Sequence, residues 1–265
     1  MLLQLSPIMK KFPLPHFTMA LAVLLVAPHA QAAFHVMQIE QVIGGVGGDT
    51  SAQAIQLRLR AAGQNQVQSS SLWAADAAGS NRVLLLNIGS AVAASTAGSR
   101  VLLSTSAFNT AMTTGGNPTY TPDFTLATAI PASYLNAGRL TFEQDGGTVS
   151  TPGTIYWSLA WGGVSYTGLH TGNTQNDADG NFGPAFGSAL PTGSRQGVIF
   201  PGASTALSTT NSADYALTAV PATVTKNNAT AFTVVPEPGT VGLFAVGFLT
   251  LSSMAWSRRR GQRRI

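Results

Sequence analysis

The chain has no cysteine among its 265 residues, which excludes disulfide staples, thiol catalysis and cysteine-ligated zinc. Charge is scarce too: 9% of residues are Asp, Glu, Lys or Arg, against roughly 25% in an ordinary globular chain. The formal net charge of +4 sits at the two ends. Lys10 and Lys11 lie near the start, and Arg258, Arg259, Arg260, Arg263 and Arg264 lie in the tail. Between Ala33 and Val235 seven basic residues face nine acidic ones, a net of −2. That balance leaves no electrostatic footprint for DNA or RNA, so no nucleic-acid partner is expected. Histidine is nearly absent from this middle region, where only His35 and His170 occur.

Both ends carry segments that make sense as addresses. Lys10 and Lys11 form a positive n-region, Phe17 to Ala27 an apolar h-region, and Ala30-Gln31-Ala32 a small-x-small cleavage site. Residues 1–32 therefore read as a signal peptide, with Met9 as an alternative initiator and cleavage at Ala30 and Ala32. At the other end, Thr240 to Trp256 is uncharged, and its apolar residues cover every side of a helix. Its helical length is roughly 25 Å, a little short of a bilayer core of about 30 Å. Trp256 at the interface and snorkelling arginines make up the difference. The arginine cluster acts as a stop and keeps that end cytoplasmic.

Just before this span, Pro236 and Pro238 flank Glu237, which holds the tripeptide extended and removes two backbone donors. This ordered triple of Pro-Glu-Pro motif, short hydrophobic span and arginine-rich end resembles the PEP-CTERM sorting signal of Gram-negative bacteria. The resemblance covers Val235 to Arg264. It implies that an exosortase, a membrane-embedded cysteine protease, recognises Pro236, Glu237 and Pro238 and removes the tail. It further implies delivery to the cell surface or an exopolysaccharide matrix.

The expected organisation is thus a leader (1–32), an exported domain (33–234) and a sorting tail (235–265) with a transmembrane helix at 240–256. The middle region shows period-two alternation punctuated by glycine-rich turns. Ile55, Leu57 and Leu59 alternate with Gln56, Arg58 and Arg60, and Leu140 and Phe142 with Arg139, Thr141 and Glu143, as in half-buried strands. Thr154 to Trp161 sets Ile155, Trp157, Leu159 and Trp161 inward. Val83 to Ile88 and Val101 to Leu103 read as strands covered on both faces. Further strands are expected at Phe34 to Ile43, Leu72 to Ala75, Gly197 to Phe200, Tyr215 to Val220 and Thr230 to Val234. Helix is expected only as a turn or two, for example Pro131 to Asn136. Nine or ten short strands without a linker predict one all-β domain, a single antiparallel β-sandwich of immunoglobulin-like or jelly-roll-like type. The opening Phe34 to Glu40, followed by Ala54 to Arg60, is faintly similar to a lamin-tail-type immunoglobulin-like domain.

Chemistry is sparse in this middle region. Asn173 to Asn181 gathers Asp177 and Asp179 among amides around Gly180, a candidate calcium loop. An EF-hand frame starting at Gln175 fails at its first and twelfth positions, so a solvated loop capped by its own Asx side chains competes with it. His170, Asp177 and a serine could be drawn as a relay, but no G-x-S-x-G elbow accompanies them. Glu143 and Asp145 look like a strand end entering a turn rather than a glycosidase pair. Tyr156, Trp157, Trp161 and Tyr166 form the densest aromatic cluster, readable as core or as a platform for sugar rings. No cofactor and no catalytic residue is expected. The leading expectation is a non-enzymatic structural or adhesive protein. The alternatives are a polysaccharide-binding module and a hydrolase whose site the sequence hides.

Overall fold

The computed structural model describes residues 34–235. The expected leader with Ala30 and Ala32, the Pro236-Glu237-Pro238 motif, the 240–256 span and the terminal arginines lie outside the described residues. Among the described residues no helix is long and apolar enough to cross a membrane.

The described strands are β1 (Met37–Ile43), β2 (Ala54–Leu59), β3 (Ser70–Ala75), β4 (Val83–Ile88), β5 (Arg100–Ser104) and β6 (Phe124–Thr125). They continue with β7 (Gly138–Gln144), β8 (Ile155–Trp161), β9 (Val198–Ile199), β10 (Ala216–Leu217), β11 (Thr223–Thr225) and β12 (Ala231–Thr233). One sheet runs in the order β10-β9-β1-β2-β5-β6, a second in the order β4-β3-β7-β8, and β11 pairs with β12 alone. All pairings are antiparallel except β5 with β6. The body is an all-β sandwich.

Alternation explains the main core. Met37, Ile39, Leu57 and Leu59 of the first sheet meet Leu72, Leu140, Phe142 and Trp157 of the second in one apolar cluster. Each such side chain, fully buried, contributes about 1.5–3 kcal/mol. Two aromatic donors are satisfied inside this core: Trp157 Nε1 donates to the Tyr215 hydroxyl at 2.7 Å, and Trp161 Nε1 to Tyr134 O at 2.9 Å. At the end of β8, Gly162 has a φ of 96°. A Cβ there would stand 2.5 Å from Ala137 Cβ, so the turn requires glycine.

Several expectations are corrected. The strand at Ala54 to Arg60, read as half-buried, is buried on both faces: every residue of β2 is buried, as is every residue of its neighbour β1. The second face of the first sheet carries Ile43, Ala54 and Leu102, and it is covered by the β11–β12 hairpin and by a nine-residue helix, α1 (Ser106–Thr114). Helix α1 exceeds the turn or two expected. Its signal is present in the sequence, with Thr105 as N-cap, its side chain accepting from Phe108 N–H, and Phe108, Ala111 and Met112 buried at helical spacing. Threonines, Asn109 and a lack of charge mask it, because these residues are weak helix formers. The expected Pro131 to Asn136 helix is a single turn, Ala132–Tyr134. Conversely, β4 is the edge of its sheet and half-exposed rather than covered on both faces. Ile155 was expected inward with Trp157. A bulge opposite Phe142/Glu143 inserts Tyr156, which flips the parity and turns Ile155 outward.

Candidate functional site

The described body is held firmly up to its last residues. β12 ends at Thr233, Val234 N–H donates to Ala222 O at 2.8 Å, and the Val234 side chain is fully buried in the second core. Phe232, one strand position before Thr233, packs against Tyr120 with ring centroids 5.0 Å apart. The point where the body ends is therefore a pinned strand.

The four aromatic residues weighed as a sugar platform belong to the interior. Trp157 and Trp161 are fully buried, and Tyr156 and Tyr166 nearly so. Tyr156 stacks edge-on with Phe34, and Tyr166 packs with Ala160 and Ala185 and bonds Leu169 O. The platform reading is corrected on this point: three of the rings lie in the main apolar cluster and Tyr166 in a small one with Ala160 and Ala185, so these four form no flat aromatic row facing solvent.

The Asn/Asp loop is organised by its own backbone. Asp177 Oδ2 accepts from the N–H groups of Asp179 and Asn181, and Asp179 Oδ1 accepts from Asn181 N–H. Burial pushes the Asp177 carboxyl up, and the Asn181 N–H holds Asp179 down. Among the described residues no group of three or more His, Asp or Glu side chains converges, at Asp177 and Asp179 or elsewhere. Nor is the paper relay assembled. His170 Nδ1 and Asp177 Oδ1 are each buried without a partner, so no hydrogen bond joins them. Burial, helped by the nearby Arg139 charge, lowers the His170 pKa. The His35 ring packs against Tyr156, and its carbonyl accepts from Asn176 Nδ2.

A cleft of about 470 Å³ opens on the outer face of the four-stranded sheet. Its floor is the polar row of β7, namely Arg139, Thr141 and Glu143, alternating with the buried Leu140 and Phe142. Its walls come from the segments around Ser80, Ser150 and Leu169. Glu143 is fully buried and pairs with Arg82, while its Oε1 also accepts from the Thr141 hydroxyl and its Oε2 from Gly153 N–H at 2.9 Å. The Arg82 guanidinium lies 4.4 Å over the Trp73 ring and donates to Thr148 O, tying the β7–β8 loop to the start of β4. Asp145, weighed with Glu143 as a pair, sits in the exposed turn beyond β7 and does not line the cleft. Sequence reasoning placed Arg139, Thr141 and Glu143 on one face. It missed the cleft, because the walls arrive from the β7–β8 loop and two distant loops, none of which carries a motif.

The described body is an all-β sandwich whose last strand, β12, ends at Thr233. Residues 234–260 match the PEP-CTERM protein-sorting motif. That match marks the chain as an exported, exosortase-targeted protein whose precursor associates with the membrane. No curated protein and no solved structure matches the chain, and the lamin-tail-like similarity of the opening strands finds no support.

Proposed function

We propose that the body is a non-enzymatic structural or adhesive protein, held at the inner membrane of a Gram-negative bacterium by its tail until an exosortase processes it. It is then delivered to the cell surface or extracellular matrix. The observation that carries this reading is the join, where the sorting match begins on Val234, a residue buried in the fold. An address placed directly behind the last strand suits a finished body that is handed over whole.

The character of the body supports the same reading. On the first sheet the buried Glu40 is bound to Arg58 and Arg100, and Arg60 to backbone carbonyls and the Asn176 amide oxygen. Glu143, the carboxylate in the cleft, has both oxygens engaged and is poorly placed to move protons. The polysaccharide-binding alternative loses its aromatic platform, since those rings are buried.

Replacement of Glu237 by Ala tests the sorting step. The variant is expected to accumulate at full length in the membrane fraction, whereas the parent loses its tail. Mass spectrometry of both ends of the protein reads the outcome, and unchanged maturation of the variant refutes the reading.

A further inference from the structure

Three arginines of the body are buried, and they are satisfied in different ways. Arg58 pairs with Glu40. Arg60 donates to Ala206 O, Gln175 O, Asn176 Oδ1 and Thr205 O, which together take four of its five N–H donors. Arg139 has neither an ion pair nor so full a set of acceptors. Its Nε donates to Ser158 Oγ at 2.7 Å and its Nη2 to Thr171 O, both uncharged, and among the described residues it forms no ion pair. A buried cation without an anion is costly unless something supplies the missing charge.

Arg139 lines the 470 Å³ cleft, which lies within the ~300–1,000 Å³ range of small-molecule sites. The charges that line the cleft leave it uncompensated, and Asp76, just behind the wall, is turned to its own loop through Ala78 N–H, Ser80 N–H and Asn81 Nδ2. Glu143 and Arg82 cancel each other as a pair, and no second carboxylate lines the cleft. Burial keeps the neighbouring Tyr166 hydroxyl in its neutral form and disfavours the charged form of His170. The floor of the cleft therefore carries one net positive charge. Ser80, Asn81, Ser150 and Thr171 place hydroxyl and amide groups on the walls, while the exposed side chains of Val149 and Leu169 form apolar lips.

We propose that this cleft binds a sugar acid, a ring bearing one carboxylate and several hydroxyls, with the carboxylate on Arg139. A planar guanidinium matches a carboxylate in two-point geometry. The wall hydroxyls and amide complement the ring hydroxyls, and Val149 and Leu169 cover an apolar ring face. A bare inorganic anion would fill little of the volume and leave the walls unused. The site differs from the buried aromatic cluster, and binding there is independent of where the sorting tail delivers the protein.

The test titrates galacturonate, galactose, sodium sulfate and an acetylated dipeptide carboxylate into the full chain, held in a zwitterionic, sugar-free detergent, by calorimetry. Galacturonate is expected to bind at least about tenfold more tightly than each of the other three, the loss expected when a charge-assisted contact or its surroundings are missing. Arg139→Met should weaken galacturonate about tenfold or more. Because that variant removes a buried side chain, Ser150→Trp provides a second arm. It blocks the entrance from an exposed position and should abolish binding while the melting temperature stays within about a degree of the parent. Galactose, sulfate or the dipeptide binding as tightly as galacturonate would overturn the proposal, and so would undiminished galacturonate affinity in Ser150→Trp.

Discussion

Substituting Glu40 by Gln isolates the contribution of the buried charge network on the first sheet. Glu40 is 2% exposed and joins three partners: Arg58 Nη1 at 3.0 Å, Arg100 through Nε at 2.7 Å and Nη2 at 2.9 Å, and Gln56 Nε2 at 2.7 Å. Arg58 and Arg100 are direct cross-strand neighbours between β2 and β5. Like charges in that position repel, and Glu40 lies between them. Gln keeps the shape of the side chain and removes the charge, leaving two facing guanidiniums without their anion. Breaking a buried pair this way costs about 3–5 kcal/mol. The Arg100 side chain is 36% exposed, so solvent screens its share. The expected loss is therefore near the lower end, about 3 kcal/mol. For a body of this size that corresponds to a melting temperature lower by about 6–12 °C. Urea titration and thermal melting by circular dichroism both read it. Arg100→Met, with the Arg58 pair intact, should cost about 1 kcal/mol or less. A Glu40→Gln loss below about 1 kcal/mol would refute the claim that this ion pair network holds the sheet's second face.

Two other perturbations probe separate parts of the fold. Phe232→Ala empties a nearly buried site beside Tyr120 and should cost about 3–5 kcal/mol, with hydrogen exchange rising in the β11–β12 hairpin while β7 and β8 stay protected. Exchange rising equally in all strands would show that the hairpin and the sandwich are one cooperative unit. The second concerns pH. The folded-state pKa of His170 is lowered, chiefly by burial, so the folded protein binds fewer protons there than the unfolded chain. Its contribution to stability is fully present above the ordinary histidine value near 6.5 and is lost as pH falls through the lowered value. The urea midpoint should fall on acidification through that window, less steeply in His170→Asn, and a His170 proton resonance titrating at or above 6.5 would contradict it.

The parts of the fold readable from sequence were those set by neighbours along the chain. Alternation in Ala54 to Leu59 and in Arg139 to Glu143 assigned each side chain to its face, because a strand's period of two depends only on local geometry. The single-position slip at Ile155 shows the limit of that reasoning, since a bulge is a property of two paired strands. Helix α1 carried a readable pattern in Thr105, Phe108, Ala111 and Met112, obscured by weak helix formers around it. The alternating polar row of Arg139, Thr141 and Glu143 was visible too, but a row becomes a cleft only when walls rise beside it.

The amino-acid order alone determined the C-terminal address and the strand-rich character of the body, because a proline-flanked carboxylate, an uncharged span and periodic side chains act through nearest neighbours. Tertiary structure alone decided what happens to the polar faces. Arg58 is buried by Gly202, 144 residues away, and Gln56 by Thr225, 169 residues away. Those contacts turn an apparently wet face into an internal charge network, whereas Arg139 on the opposite sheet is left facing an open cleft. The distinction rests on which distant loop covers which strand, and alternation along a strand carries no record of that.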